Sequence, residues 1–136
     1  MTTAKTQGIH HAGLTVPNLA DAKRFFEEAL GFHVVGEKPE YPAAFVSDGT
    51  VMITLWQAEE PDSATPFDRR RGIGLHHIAF QIAEGETLDG LCQMLSKRSD
   101  VTVEFEPEAL GGSATHHLMI RIPGNIRVEL IAPAKH

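Results

Sequence analysis

The strongest constraint on this chain is that it says the same thing twice. Ile9-His10-His11-Ala12-Gly13-Leu14-Thr15-Val16 aligns with Leu75-His76-His77-Ile78-Ala79-Phe80-Gln81-Ile82, 66 residues further on. A self-similarity at half the chain length means two supersecondary units built to one plan. A helical pattern follows each copy. In the first half Asn18 caps it, with Asp21 three residues later placed to return a bond to the cap backbone. Leu19, Ala22, Phe25, Phe26, Ala29 and Leu30 make one apolar stripe, and Gly31 supplies the stop. In the second half Leu88, Leu91, Cys92 and Leu95 recur at helical spacing, with Gly90 as a weak point inside.

Strand patterns come after each helix. The first half offers residues 32–37, 43–47 and 51–57, with Asp48-Gly49 as a hairpin signal. The second offers residues 101–105, 117–122 and 126–132, with a turn at Pro123-Gly124-Asn125. The pattern is strand, helix and three strands, twice. It predicts an α+β fold of two βαβββ units, residues 8–60 and 73–134 of one domain spanning 1–136. Their curved mixed sheets would form a cup with the helices outside.

The sequence has 136 residues, enough for one real core. Its apolar and charged shares, 42% and 22%, are those of a globular protein. A net charge of −6 argues against a nucleic-acid surface. The one basic run, Arg69-Arg70-Arg71, reads as a solvated turn. No apolar run is long enough for a membrane span, and the polar start does not read as a secretory signal. A single cysteine, Cys92, fits a reducing compartment, so a cytoplasmic protein is expected. The unusual count is eight histidines, six of them in adjacent pairs.

Strand alternation places His11, Gly13 and Thr15 on one face of the first strand, and His77, Ala79 and Gln81 on the equivalent face of its repeat. On the last strand Val128, Leu130 and Ala132 form a wholly apolar face, which leaves Glu129 on the concave side. Matching Ile53-Thr54-Leu55 to Val128-Glu129-Leu130 makes Thr54 the counterpart of Glu129. Two imidazoles and a carboxylate, His11, His77 and Glu129, suit divalent iron, manganese, zinc, nickel or cobalt with open positions for substrate. Packed structural histidines are the alternative. His10 and His76 alternate away from the cup and read as outer-face residues. His117, Met119 and Arg121 share one face of their strand; His117 is a candidate acid/base or, equally, a packed histidine. Residues 104–115, around Gly111-Gly112-Ser113, read as a plain surface loop, with a mobile lid as the alternative.

On these residues the chain resembles the vicinal oxygen chelate superfamily: glyoxalase I, methylmalonyl-CoA epimerase, fosfomycin-resistance thiol transferases, extradiol dioxygenases and bleomycin-binding proteins. The carriers are His11 to Val16 with Asn18-Leu19, Phe25-Phe26 to Phe32, Gly74 to Phe80, and Gly124-Asn125 with Val128-Glu129-Leu130. The resemblance implies paired βαβββ units and a metal held by His11, His77 and Glu129, with Thr54 where glyoxalase I and the epimerase have Glu or Gln. It implies a metal-dependent enzyme on a small substrate chelated through vicinal oxygens, by lyase/isomerase or dioxygenase chemistry. Glu129 and His117 are the candidate catalytic groups. The alternative is a metal-free binding protein of the bleomycin-resistance kind. A homodimer is expected, because open sheet edges invite a partner.

Overall fold

A computed structural model describes residues 2–134. Two compact units divide between Ala64 and Thr65. The first contains β1 (His11–Val16), α1 (Leu19–Arg24) continued by a π-helical turn (Phe25–Ala29), β2 (His33–Lys38), β3 (Ala43–Ser47) and β4 (Met52–Gln57). The second contains β5 (Ile78–Gln81), α2 (Leu88–Ser96), β6 (Thr102–Ala109), β7 (His116–Ile122) and β8 (Ile126–Ala132). This is the α+β arrangement expected, strand, helix and three strands in each unit.

The two sheets share one topology. The first runs β1-β4-β3-β2 and the second β5-β8-β7-β6. In each, the first strand lies parallel to the last and the remaining pairs are antiparallel. The register repeats too. Gly13 faces Thr54 in the first sheet, and Ala79 faces Glu129 in the second. The equivalence of Thr54 and Glu129 is therefore built into the hydrogen-bond ladders. It fixes which side chains share a face, since a one-residue slip would invert them all.

Local chemistry explains the elements. Leu14 and Val16 are buried on β1 while His11, Gly13 and Thr15 are exposed, the alternation of a half-buried strand. Asn18 caps α1 by accepting from the Asp21 amide at 3.0 Å. The Asp21 carboxylate does not return the bond; it pairs with Arg24 at 3.3 Å. The helix was expected to run unbroken to Leu30. Instead it widens into the π turn, where the adjacent Phe25 and Phe26 are both fully buried and meet edge-to-face. An α-helical turn would separate their side chains by about 100° around the axis. Gly31, at φ +72°, ends the segment in the left-handed region. In α2 the Thr87 hydroxyl accepts from the Gly90 amide at 3.0 Å. A Cβ at Gly90 would lie 2.9 Å from that hydroxyl, so the glycine makes room for the cap.

Several strand boundaries differ from expectation by a residue or more, and those of the second unit bear on the site. β5 starts at Ile78, so His77 lies just before the strand rather than within it. β6 runs on to Ala109 through Pro107, which an edge strand tolerates, with register shifts on both sides of Phe105. The loop read from residue 104 is thereby reduced to the tip at Leu110–Thr115, closed by Leu110 N–H to Thr115 O at 2.8 Å. β7 begins one residue early, at His116. The β7–β8 turn is as expected: Asn125 N–H reaches Ile122 O at 2.8 Å, with Gly124 at φ +91°. No helix among the described residues is long and apolar enough to cross a membrane.

Candidate functional site

The second unit gathers a chain of polar side chains on one side of its sheet. Glu129, on β8, is buried. Its Oε2 accepts from His117 Nδ1 on β7 at 2.6 Å, and its Oε1 lies 3.6 Å from His77 Nε2. An ionised carboxylate can only accept, so His117 carries its hydrogen on Nδ1 and turns Nε2 outward. That nitrogen lies 3.8 Å from the exposed Glu108 of β6. Phe105 holds the His117 ring edge-to-face at 4.9 Å. Glu129 thus stands between two imidazoles, one hydrogen-bonded and one beyond hydrogen-bond reach.

Behind His77 stands a second network. His77 Nδ1 lies 2.8 Å from His76 Nδ1, and His76 Nδ1 lies 3.2 Å from Arg127 Nη1. Arg127 also donates to the His76 carbonyl at 3.4 Å. The same guanidinium clasps Glu104 with two bonds, Nη2 to Oε2 at 2.6 Å and Nε to Oε1 at 3.1 Å. Arg69 adds a bond to Glu104 Oε1 at 3.0 Å. Desolvation of the ring, and after it the Arg127 guanidinium, hold the His76 imidazole below its ordinary pKa. The bonds from Arg127 hold the Glu104 carboxyl below the usual carboxylate range, against an opposing effect of burial. Two expectations are corrected here. His76 does not stand alone on an outer face, because its ring turns back to His77 and Arg127. Arg69 is not simply solvated, because it closes on Glu104.

The first unit holds the equivalent positions in a different chemical state. His10 and His11 pair through Nδ1 at 2.9 Å, the arrangement of His76 and His77. His10 likewise turns its ring onto that of His11. Thr54, the counterpart of Glu129, is buried with its hydroxyl engaged. It accepts from the Trp56 indole at 2.8 Å and donates to the Ala12 carbonyl at 3.5 Å. Gly13 keeps that contact close, since a Cβ there would lie 3.0 Å from the Thr54 hydroxyl and 3.3 Å from the indole nitrogen. Tyr41 packs edge-to-face on Trp56 at 4.7 Å. Thr54 is therefore a packing and hydrogen-bonding residue.

The structure thus brings together three of the four site residues expected from the sequence, His77, His117 and Glu129, in one unit. His11 lies in the other unit at the repeat-equivalent place. Among the described residues, no group of three or more His, Cys, Asp and Glu side chains stands ready-made to hold a metal ion. One pair of donors nonetheless has the spacing of two ligands on a single ion. Two ligands at tetrahedral angles on bonds of about 2.1 Å lie about 3.4 Å apart, close to the spacing of His77 Nε2 and Glu129 Oε1. Sequence reasoning missed Glu104, Glu108 and Arg127, whose roles arise from pairing across strands.

The comparisons with known proteins agree with this architecture. The profile of the Glyoxalase/Bleomycin resistance protein/Dioxygenase superfamily matches residues 8–130, and the chain belongs to that superfamily. YqjC of Bacillus subtilis (strain 168) is 29% identical over 138 residues, covering 92% of this chain and 91% of its own. Among solved structures, a glyoxylase/bleomycin resistance protein/dioxygenase domain from Frankia sp. EAN1pec superposes with a TM-score of 0.81 at 23% identity, covering 96% and 95% of the two chains. Lactoylglutathione lyase from Agrobacterium tumefaciens gives 0.70 at 18% identity over 95% and 96%. The fosfomycin resistance protein FosX from Listeria monocytogenes gives 0.71 at 19% identity over 95% of each. At these identities the structural likeness is one of fold.

Proposed function

We propose that this chain is a divalent-metal-dependent enzyme, acting on a small molecule bound through neighbouring oxygens, by lyase/isomerase or dioxygenase chemistry. His77 and Glu129 supply two metal ligands, and His11 supplies the third from the same chain or from a second copy. The observation that carries the reading is the approach of His77 Nε2 to Glu129 Oε1, 3.6 Å, beside a register that repeats in the other unit. The ion, iron, manganese, zinc, nickel or cobalt, supplies Lewis acidity and coordination positions for substrate oxygens.

The chain's own residues do the rest. Glu129 holds His117 in one tautomer and leaves Nε2 free to take or give a proton, the task of a general acid/base. Glu129 itself is the second catalytic group. Thr54, with its hydroxyl committed to Trp56 and Ala12, offers no carboxylate for proton transfer. The chain is therefore expected to turn over a glutathione hemithioacetal slowly, since a positioned acid/base group is worth about 10²–10⁴-fold in rate. Efficient turnover of methylglyoxal with glutathione, unchanged in Thr54→Val, would contradict this assignment.

The protein is proposed to work as a cytoplasmic homodimer. β1 and β5 are each a terminal strand of their sheet, and such edges are ordinarily covered. The test is metal analysis of protein purified without chelator, with light scattering on the same sample. Bound transition metal in the wild type, lost in His11→Ala and in His77→Ala, is the expected result. Full metal content in both variants would overturn the ligand assignment. Tight binding of a small molecule by metal-free wild type would favour the bleomycin-resistance kind of binder.

A further inference from the structure

We propose that His76 is a positioning residue that sets the tautomer of His77, keeping the His77 Nε2 lone pair free toward Glu129. This deepens, and rests on, the reading of His77 as a metal ligand. Two ring nitrogens 2.8 Å apart, His76 Nδ1 and His77 Nδ1, need one hydrogen between them. Two hydrogens would oppose each other, and none would set lone pair against lone pair. Geometry alone does not say which ring carries it, but Arg127 does. Its Nη1 lies 3.2 Å from the same His76 Nδ1, and a guanidinium nitrogen only donates. His76 Nδ1 is thus unprotonated, its one lone pair shared between the two donors, and its own hydrogen sits on Nε2. His77 must donate from Nδ1, which strips its Nε2 of hydrogen. That nitrogen is the one 3.6 Å from Glu129 Oε1.

Arg127 is held to this task. Its side chain is only 8% exposed, and the two bonds to Glu104 fix the plane of the guanidinium. The donor that breaks the tie between the two histidines is therefore not free to turn away. The first unit repeats the contact between His10 and His11 at 2.9 Å, so paired rings are a property of the repeat and not of one loop. A metal-ligating histidine ordinarily gives its other ring N–H to an acceptor that fixes its orientation. Here the acceptor is the preceding residue, polarised from behind by an arginine.

The tautomer is read directly, without metal, from long-range ¹H–¹⁵N correlations of histidine-labelled apo protein at a pH where imidazoles are neutral. Wild type is expected to show His77 as the Nδ1–H form. His76→Phe is expected to shift His77 toward the Nε2–H form and to weaken zinc binding about 10–100-fold. His76→Gln, whose amide oxygen can accept, is expected to restore both. His77 in the Nε2–H form in wild type, or an unchanged tautomer in His76→Phe, overturns the proposal. An Nδ1–H tautomer in a wild type that binds no zinc supports this inference and overturns the proposed metal function, so the two failures are distinguishable.

Discussion

Glu129→Ala is expected to abolish metal binding and to loosen the fold, whereas Glu129→Gln separates the two effects. The carboxylate has two jobs. Oε1 faces His77 Nε2, and Oε2 accepts a bond from the buried His117 at 2.6 Å. Alanine removes a metal ligand outright, so zinc affinity should fall by more than the roughly 10–100-fold typical of losing only a supporting partner. It also strands the His117 N–H in a buried place, at a cost of about 1–3 kcal/mol. Glutamine keeps an oxygen for His117, so most of that stability should return. It has no charge, so metal affinity and turnover should stay low. Zinc titration and urea unfolding of the two variants read these outcomes separately. Undiminished zinc affinity in Glu129→Ala would remove Glu129 from the site.

The plan of the fold was legible because it is written in a repeat. Aligning His11 with His77 and Thr54 with Glu129 carries register information that single-strand propensities lack, and the ladders pair Gly13 with Thr54 and Ala79 with Glu129. What escaped was whatever depends on partners distant in the chain. The strand read over 101–105 continues through Pro107 to Ala109, because β6 lies on an edge where a proline is tolerated. His76 alternates away from His77 on any ideal strand, but β5 begins only at Ile78, and the two rings are free to turn toward each other. Arg69 sits in a basic run that looks solvated, and nothing nearby in sequence announces Glu104 as its partner. His117 and Glu129 were legible as candidates because strand alternation is a local rule. Their supporting network was not, because it is a set of cross-strand charge pairs.

Glu104→Ala is expected to be among the most destabilising single substitutions in the second unit, although Glu104 lies outside the proposed ligand set. Arg127 is a buried cation whose compensation is the Glu104 carboxylate, held by two bonds, with Arg69 on the same oxygen. Removing one member of a buried pair leaves the other charge uncompensated, at about 3–5 kcal/mol. Against a total stability of about 5–15 kcal/mol, that is a large fraction. Glu104→Gln, which retains an acceptor without the charge, should cost less. The pH dependence gives a second signature. Bonding to Arg127 puts the folded pKa of Glu104 below its ordinary value of 4.5. The unfolded chain therefore takes up the proton first as pH falls. The stabilisation is complete above the ordinary value and is lost as pH drops from there through the lowered folded one. Urea unfolding from pH 7 to pH 3 should show this acid limb in wild type and a flatter one in Glu104→Gln. Because Arg127 also holds His76, the same variant should disturb the His76–His77 contact and weaken zinc binding at pH 7, where carboxylate titration plays no part. An acid limb identical in wild type and Glu104→Gln, with unchanged zinc affinity, would show that the Arg127–Glu104 clasp supports neither the fold nor the site.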